Sequence, residues 1–403
     1  MTVTVKKGRA EGFVTAPPSK SDAHRALISA ALSGGCTVKN LAFSKDIEAT
    51  VTCLHKMGAG VKPAEEGLYI GGLNPENVNN DEVLDCFESG STLRFLLPLC
   101  MLSGKRCILT GSERLLSRPL SVYEDICRRD GIEFSNDGRR ITVCGRLAGG
   151  DYEVPGDISS QFITGLLFAL PFCGRDSRLT VQGRFESASY VDITLNVLAR
   201  FGVSVTRTGN CFYIPGGQRF TGTEYTVEGD CSNAAFLDGF NLLGGNVTVG
   251  GLREETLQGD MVYREMFRRL RCEENPCFDL SDCPDLGPVM FALAAARGGA
   301  RFVGTRRLKI KESDRGECMR RELAKFGITV IVGENEITVK KGELSAPEVP
   351  LCGHNDHRIV MALCLLCTLT GGRVEGAEAV SKSFPDFFEK LQSLKIGIIR
   401  NDT

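Results

Sequence analysis

Apolar positions along the chain fall into two alternating patterns. In the first, a polar turn leads into an almost unbroken apolar helix of a few turns, then a Gly or Gly-Gly stop and a short strand. It reads "SKSDAHRALISAALSGGCTV" from Ser19, "SGSTLRFLLPLCMLSGKRCIL" from Ser89 and "SSQFITGLLFALPFCGRDSRLTV" from Ser159. It returns as "CSNAAFLDGFNLLGGNVTV" from Cys231, "CPDLGPVMFALAAARGGARFV" from Cys283 and "HNDHRIVMALCLLCTLTGGRV" from His354. These six copies lie mostly about seventy residues apart, an internal repeat.

The second pattern alternates with the first: a charged amphipathic helix, a Gly and a β-hairpin. "DIEATVTCLHKMGAGVKPAEEGLYI", "SVYEDICRRDGIEFSNDGRRITV", "YVDITLNVLARFGVSVTRTGNCFYI" and "ESDRGECMRRELAKFGITVIVGENEITV" carry it in full, with Asp137-Gly138 as a hairpin turn. "DMVYREMFRRLRCEENPCFDL" is a degraded copy and "SFPDFFEKLQSLKIGIIRN" a truncated last one. The chain therefore predicts an α/β fold of six βαβαββ-like units. Single units are too small to bury both faces, so three per domain is the natural division. The boundary falls near "YTVEGDCSN", giving residues 1–17 with 227–403 as one domain and 18–226 as the other. The strand in "MTVTVKKG" pairs with the last repeat, and two crossovers imply a hinge around a central cleft.

Composition narrows the class. Of 403 residues 42% are hydrophobic and 24% charged, ordinary for a globular chain, and the net charge of -2 gives no global pull toward nucleic acid or membrane. No apolar run has the length of a membrane span, and "MTVTVKKGRAEGF" lacks the apolar run of a signal peptide. The 17 cysteines read as small buried hydrophobes in a reducing cytoplasm. Cys364 and Cys367 have C-x-x-C spacing but sit in the apolar helix "VMALCLLCTL", which favours core packing.

The helix starts carry the chemistry. "PPSKSDAHR" crowds Lys20 and Arg25 into the first turns of a helix, where cations oppose the macrodipole, so an anion is expected there. Ser159-Ser160-Gln161 opens the third copy and Asn355-Asp356-His357-Arg358 the sixth; Lys20, Arg25, Arg118 and Arg358 turn such starts into phosphate or carboxylate sites. In "TRRLKIKESDRGECMRR", alternation places Leu308 and Ile310 on one face of a strand and Arg307, Lys309 and Lys311 on the other. That strand should lead into Glu312, a Ser313 N-cap and Arg315 in the first helical turn. His354-x-x-His357 lacks a third ligand of familiar metal spacing, and there is no Walker A loop or dinucleotide fingerprint. The residues alone reach a two-domain α/β enzyme for small, multiply anionic substrates.

"PPSKSDAHR", "SGSTLRF", "SRP", "DISSQF", "YVDITL", "KIKESDR", "NDHRIVMA" and "KSFPDFFE" together resemble, in order and over nearly the whole chain, the 5-enolpyruvylshikimate-3-phosphate synthase family of enolpyruvyl transferases. The resemblance implies two domains of three βαβαββ units each. It also implies transfer of the enolpyruvyl group of phosphoenolpyruvate to the 5-hydroxyl of shikimate 3-phosphate, with no metal or organic cofactor. For shikimate 3-phosphate it implies Lys20, Ser21, Arg25, Ser159, Ser160, Gln161, Ser187, Tyr190, Asp285 and Lys311. For phosphoenolpyruvate it implies Lys20, Gly90, Arg118, Gln161, Arg315, Arg358 and Lys382. Lys20, Asp285, Lys311 and Glu312 become the catalytic candidates: Asp285 or Lys20 as base, Glu312 or its rival Lys20 as acid. Gly90 implies glyphosate inhibition competitive with phosphoenolpyruvate. Arg307 and Ser91 depart from residues common in the family.

A monomeric cytoplasmic enzyme with small-molecule substrates follows, without nucleic-acid or membrane partners. The rivals are the sister transferase acting on UDP-N-acetylglucosamine, which "SSQF" and "KESDR" disfavour, and a non-catalytic module binding anionic metabolites.

Overall fold

A computed structural model describes residues 1–78 and 82–401. The chain divides into two compact units, residues 18–228 and residues 1–17 with 229–403. Each has its own apolar core, one from Ala23 to Val227 and one from Val3 to Ile396.

Residues 18–228 hold three four-stranded sheets of one design. In the second, Val83–Asp85 runs parallel to Cys107–Thr110, and the hairpin Glu133–Asn136/Arg140–Cys144 adds antiparallel to the latter. The hairpin turns where "NDG" predicts: Asp137 N–H donates to Arg140 O at 3.2 Å, and Gly138 takes φ 81°. The third sheet repeats this order with Asp151–Pro155, Ser177–Gln182, Cys211–Ile214 and Thr206–Thr208.

The first sheet borrows its parallel partner from far along the chain. Cys36–Lys39 pairs with Tyr225–Thr226, not with the strand that precedes it in sequence. That preceding strand, Glu11–Thr15, instead runs parallel to Asn246–Gly250 in the other unit's chain. Asp22 closes the ends of residues 18–228: its buried carboxylate accepts from Tyr225 Oη at 2.7 Å and Glu228 N at 3.1 Å. Burial pushes its pKa up, against the pull of those two donors.

Residues 1–17 with 229–403 repeat the design, with one loss. Cys277–Asp279, Ala300–Val303, Glu336–Val339 and Val330–Val332 form a full copy. The last sheet is completed by the N-terminus: Thr2–Val5 pairs antiparallel with both Gly372–Glu375 and Ile398–Asn401. The fourth copy has only two strands, because the helix Tyr263–Cys272 runs straight on toward Cys277–Asp279 with no hairpin between.

The apolar helices form the cores. Lys20–Leu32 buries every residue from Asp22 to Leu32. Cys364 and Cys367 are fully buried in the helix His357–Thr370. Gly90–Cys100 and Ser160–Ala169 pack so closely that a Cβ at Gly165 would sit 2.3 Å from both Arg94 O and Tyr123 Oη. Gly165 thus sets the spacing of two helices whose first turns carry candidate site residues.

Candidate active site

In residues 18–228 the three apolar helices begin alike. Ser19, Ser89 and Ser159 are N-caps accepting from Asp22 N, Thr92 N and Gln161 N at 3.4, 3.1 and 3.3 Å. Capping fixes each first turn, and the candidates sit on those turns.

On the first helix, Lys20 Nζ lies 2.7 Å from Asp46 Oδ2. Arg25 is buried: its Nε donates to Thr194 Oγ1 at 2.7 Å, Nη1 to Ser21 O at 2.6 Å, and Nη2 to Tyr190 O at 3.0 Å and Thr164 Oγ1 at 3.3 Å. It thereby fixes Ser21 against the helix Ala188–Arg200, which carries Tyr190. Burial lowers its pKa to about 10, so it stays charged at neutral pH. Ser187, just before that helix, is buried in the left-handed region at φ 56°.

On the second helix Gly90 faces cations. A Cβ there would meet Arg118 Nη1 at 2.7 Å, Arg94 Nη1 at 3.0 Å and Arg118 Cζ at 3.2 Å. Arg94 Nη1 also donates to Gln161 Oε1 at 3.0 Å, and Gln161 Nε2 to Ser91 Oγ at 3.0 Å. The second and third helix starts are thus tied together, with Arg118 and Arg94 packed against a bare glycine.

In residues 229–403 the candidates converge on one carboxylate. Asp285, in the 3₁₀ turn Pro284–Leu286, takes Arg315 Nη1 at 2.8 Å and Lys311 Nζ at 3.3 Å on Oδ1, and Arg358 Nη2 at 3.0 Å on Oδ2. Burial alone would raise its pKa, but Arg358, Lys311 and Arg315 hold it well below the usual carboxylate range. Burial pushes Lys311 down, with Asp285 opposing. Arg315 reaches two further carboxylates, Glu312 at 2.7 Å and Asp356 at 2.9 Å. Asp356 caps the helix His357–Thr370 by accepting from Arg358 N at 3.0 Å. Lys382 Nζ donates to Asn355 O at 2.5 Å. Lys311, Arg315, Arg358 and Lys382 thus outnumber Asp285, Glu312 and Asp356 in charge, which suits an anion.

Two sequence expectations are corrected here. Residues Arg306–Ile310 form a 3₁₀ helix, not a strand. The strand ends at Val303 because Gly304 turns at φ 71°, where a Cβ would strike Ser281 Oγ and Asp279 Oδ1. Arg307 is buried, donating to Ser281 O at 2.6 Å, and does not share an exposed strand face with Lys309. The N-cap is Asp314, accepting from Glu317 N at 3.1 Å, while Ser313 Oγ donates to Asp356 Oδ2 at 3.0 Å. Asp46, Arg94, Thr164 and Thr194 hold the candidates in place and were missed. All four lie inside the quoted stretches, but their partners are distant in sequence.

Two units of repeated βαβαββ design, each presenting cationic helix starts, define an enolpyruvyl transferase fold. The model of the EPSP synthase (3-phosphoshikimate 1-carboxyvinyltransferase) family matches residues 5–391. The chain is 39% identical to the 3-phosphoshikimate 1-carboxyvinyltransferase of Clostridium kluyveri, covering 97% of each, and 37% identical to that of Clostridium acetobutylicum, covering 95% of each. Its fold is similar to a structure of EPSP synthase from Acinetobacter baumannii, with a TM-score of 0.78 at 22% identity over 99% of this chain and 100% of the other. The chain belongs to the EPSP synthase family and is a carboxyvinyltransferase of the shikimate pathway. No described helix is long and apolar enough to cross a membrane.

Proposed function

We propose that the chain transfers the enolpyruvyl group of phosphoenolpyruvate to the 5-hydroxyl of shikimate 3-phosphate through the residues just described. The observation that carries this reading is the convergence of Arg315, Lys311 and Arg358 on Asp285. A carboxylate so held remains ionised and accepts a hydrogen bond from a hydroxyl, while cations around it await the donor's phosphate and carboxylate.

Shikimate 3-phosphate falls to Ser159, Ser160, Gln161, Ser187 and Tyr190, with Lys20 and Ser21 on the helix that Arg25 orients and Asp285 and Lys311 toward its hydroxyl. Phosphoenolpyruvate falls to Arg118, beside Gly90, and to Lys20, Gln161, Arg315, Arg358 and Lys382. The hydroxyl oxygen attacks C2 of phosphoenolpyruvate, its proton passing to Asp285 or Lys20. Glu312 protonates the methylene C3, which becomes a methyl group. In the second half C3 returns a proton, the C2–O bond to phosphate breaks and the enol ether forms, the acid and base roles reversing. Negative charge arriving beside Glu312 favours its protonated form, which the first step needs. Cations around the leaving phosphate stabilise its charge.

The free cysteines among the described residues support the reading of a reducing cytoplasmic setting. The test of the reaction is phosphate release from phosphoenolpyruvate with shikimate 3-phosphate, with UDP-N-acetylglucosamine in parallel. Release with shikimate 3-phosphate alone is expected; release with the nucleotide sugar alone overturns the acceptor.

Gly90→Ala tests the donor pocket. The new methyl group must displace Arg118, the nearest atom being the far end of that side chain. Losing one charge-assisted hydrogen bond costs about 1.5–3 kcal/mol. The KM for phosphoenolpyruvate should therefore rise roughly ten- to a hundredfold in folded protein, and an unchanged KM removes Arg118 from the pocket.

A further inference from the structure

Glu322 lies in the helix Arg315–Ala324, and its carboxylate is buried. Its Oε1 faces His354 Nε2 at 2.9 Å. Its Oε2 accepts from Lys325 Nζ at 2.8 Å and from Cys352 N at 2.9 Å. A buried carboxylate is costly unless its acceptors are filled. Here they are filled chiefly by the segment leading into the helix His357–Thr370.

That segment has an uncommon backbone. His354 and Asn355 stand consecutively in the left-handed region, at φ 48° and 52°, with no glycine in either place. Such a conformation persists only where its surroundings over-determine it. The double turn aims Asn355 O at Lys382 Nζ and brings Asp356 under Arg315 and Ser313. Arg315 and Glu322 stand seven residues apart, two turns along one helix face. One face thus grips the segment at both ends, at Asp356 and at Cys352 with His354. Hydrogen bonds that the His354 ring donates to Cys318 and Glu322 raise its pKa to about 10, so the ring is a charged donor at neutral pH.

We propose that the Glu322–His354 pair is a positioning device for phosphoenolpyruvate binding: it holds the left-handed turn that sets Lys382, Arg315 and Arg358 in place. This rests on the assignment of those cations to phosphoenolpyruvate. Neither Glu322 nor His354 touches substrate in this proposal, so removing the pair should loosen donor binding more than it slows chemistry.

The experiment compares folded Glu322→Gln and Arg358→Ala with the wild type by steady-state phosphate release. Glu322→Gln keeps the volume but sets an amide among donors. It should raise the KM for phosphoenolpyruvate at least tenfold, leave the KM for shikimate 3-phosphate within about twofold, and leave kcat within about threefold. His354→Asn tolerates the left-handed backbone and loses the ring's reach to Glu322 and Cys318, so it should give a smaller shift of the same kind. It stands in if Glu322→Gln fails to fold. A phosphoenolpyruvate KM raised by Arg358→Ala but unmoved by Glu322→Gln and His354→Asn overturns the positioning role alone. A KM that none of the three moves also overturns the assignment beneath it, and equal shifts for both substrates mark a merely structural residue.

Discussion

Arg315→Met should destabilise residues 229–403 by about 3–5 kcal/mol, the cost of removing one partner from a buried ion network. Arg315 is almost fully buried among Asp285, Glu312 and Asp356, at 2.8, 2.7 and 2.9 Å. Its burial favours the neutral guanidine, yet those three carboxylates raise its pKa well above the ordinary value. Methionine fills the volume and leaves the carboxylates facing one another. Asp285 keeps Arg358 and Lys311, so the unmet charge falls on Asp356, which is fully buried. The chain has no tryptophan, so urea unfolding is best followed by circular dichroism. Hydrogen exchange should show the helices Arg315–Ala324 and His357–Thr370 losing protection while Gly90–Cys100 keeps its own. Asp356→Asn added to Arg315→Met should recover part of the loss, since it removes the stranded charge. A single variant as stable as the wild type would show that the network is not a net constraint on the fold.

Glu312→Gln should leave both substrates bound and cut turnover by about 10²–10⁴-fold, the usual worth of a positioned general acid. The amide is nearly isosteric with the carboxyl, and its oxygen can still accept from Arg315, 2.7 Å away in the parent. What it lacks is a proton to give to C3. Calorimetric titration with each substrate, beside phosphate release, separates the two effects. Turnover within about threefold of the parent removes Glu312 from the acid role. Lys20→Met then becomes the decisive variant, because Lys20, held by Asp46, is the rival donor.

The repeat made most of the architecture legible. Serine before an apolar run states a cap and a core helix together, and Ser19, Ser89 and Ser159 all perform that role. The missing hairpin after Tyr263–Cys272 was visible as a degraded copy of the second pattern. The segment at residues 306–311 was misread because alternation over six residues fits a strand by period alone. The glycine at 304 was the available signal against it. Asp314 and Glu317 also form an N-cap pair with the spacing of a capping box, a better fit than Ser313. Ser313 was claimed by Asp356, 43 residues away, which no local pattern announces. The same limit hid Asp46 beneath Lys20 and Glu322 beneath His354: ion partners across a fold leave no trace in spacing.

The exchanged strands have a consequence for synthesis. Residues 18–228 contain every strand of their own sheets, so that unit can close once Glu228 has left the ribosome. Thr2–Val5 is made before the rest of its sheet yet finds its partners last, since it must wait for Gly372–Glu375 and Ile398–Asn401, whereas Glu11–Thr15 waits only for Asn246–Gly250. Until then Thr2–Val5 trails with open edges, a hazard during slow, non-local assembly. Nature's order of the gene is not the only one the fold accepts. Thr2 stands directly opposite Asn401 in an antiparallel pair, so a short loop can join the two strands. A gene reading 229 to 403 and then 1 to 17 would encode that unit as one uninterrupted chain, with residues 18–228 supplied as a second.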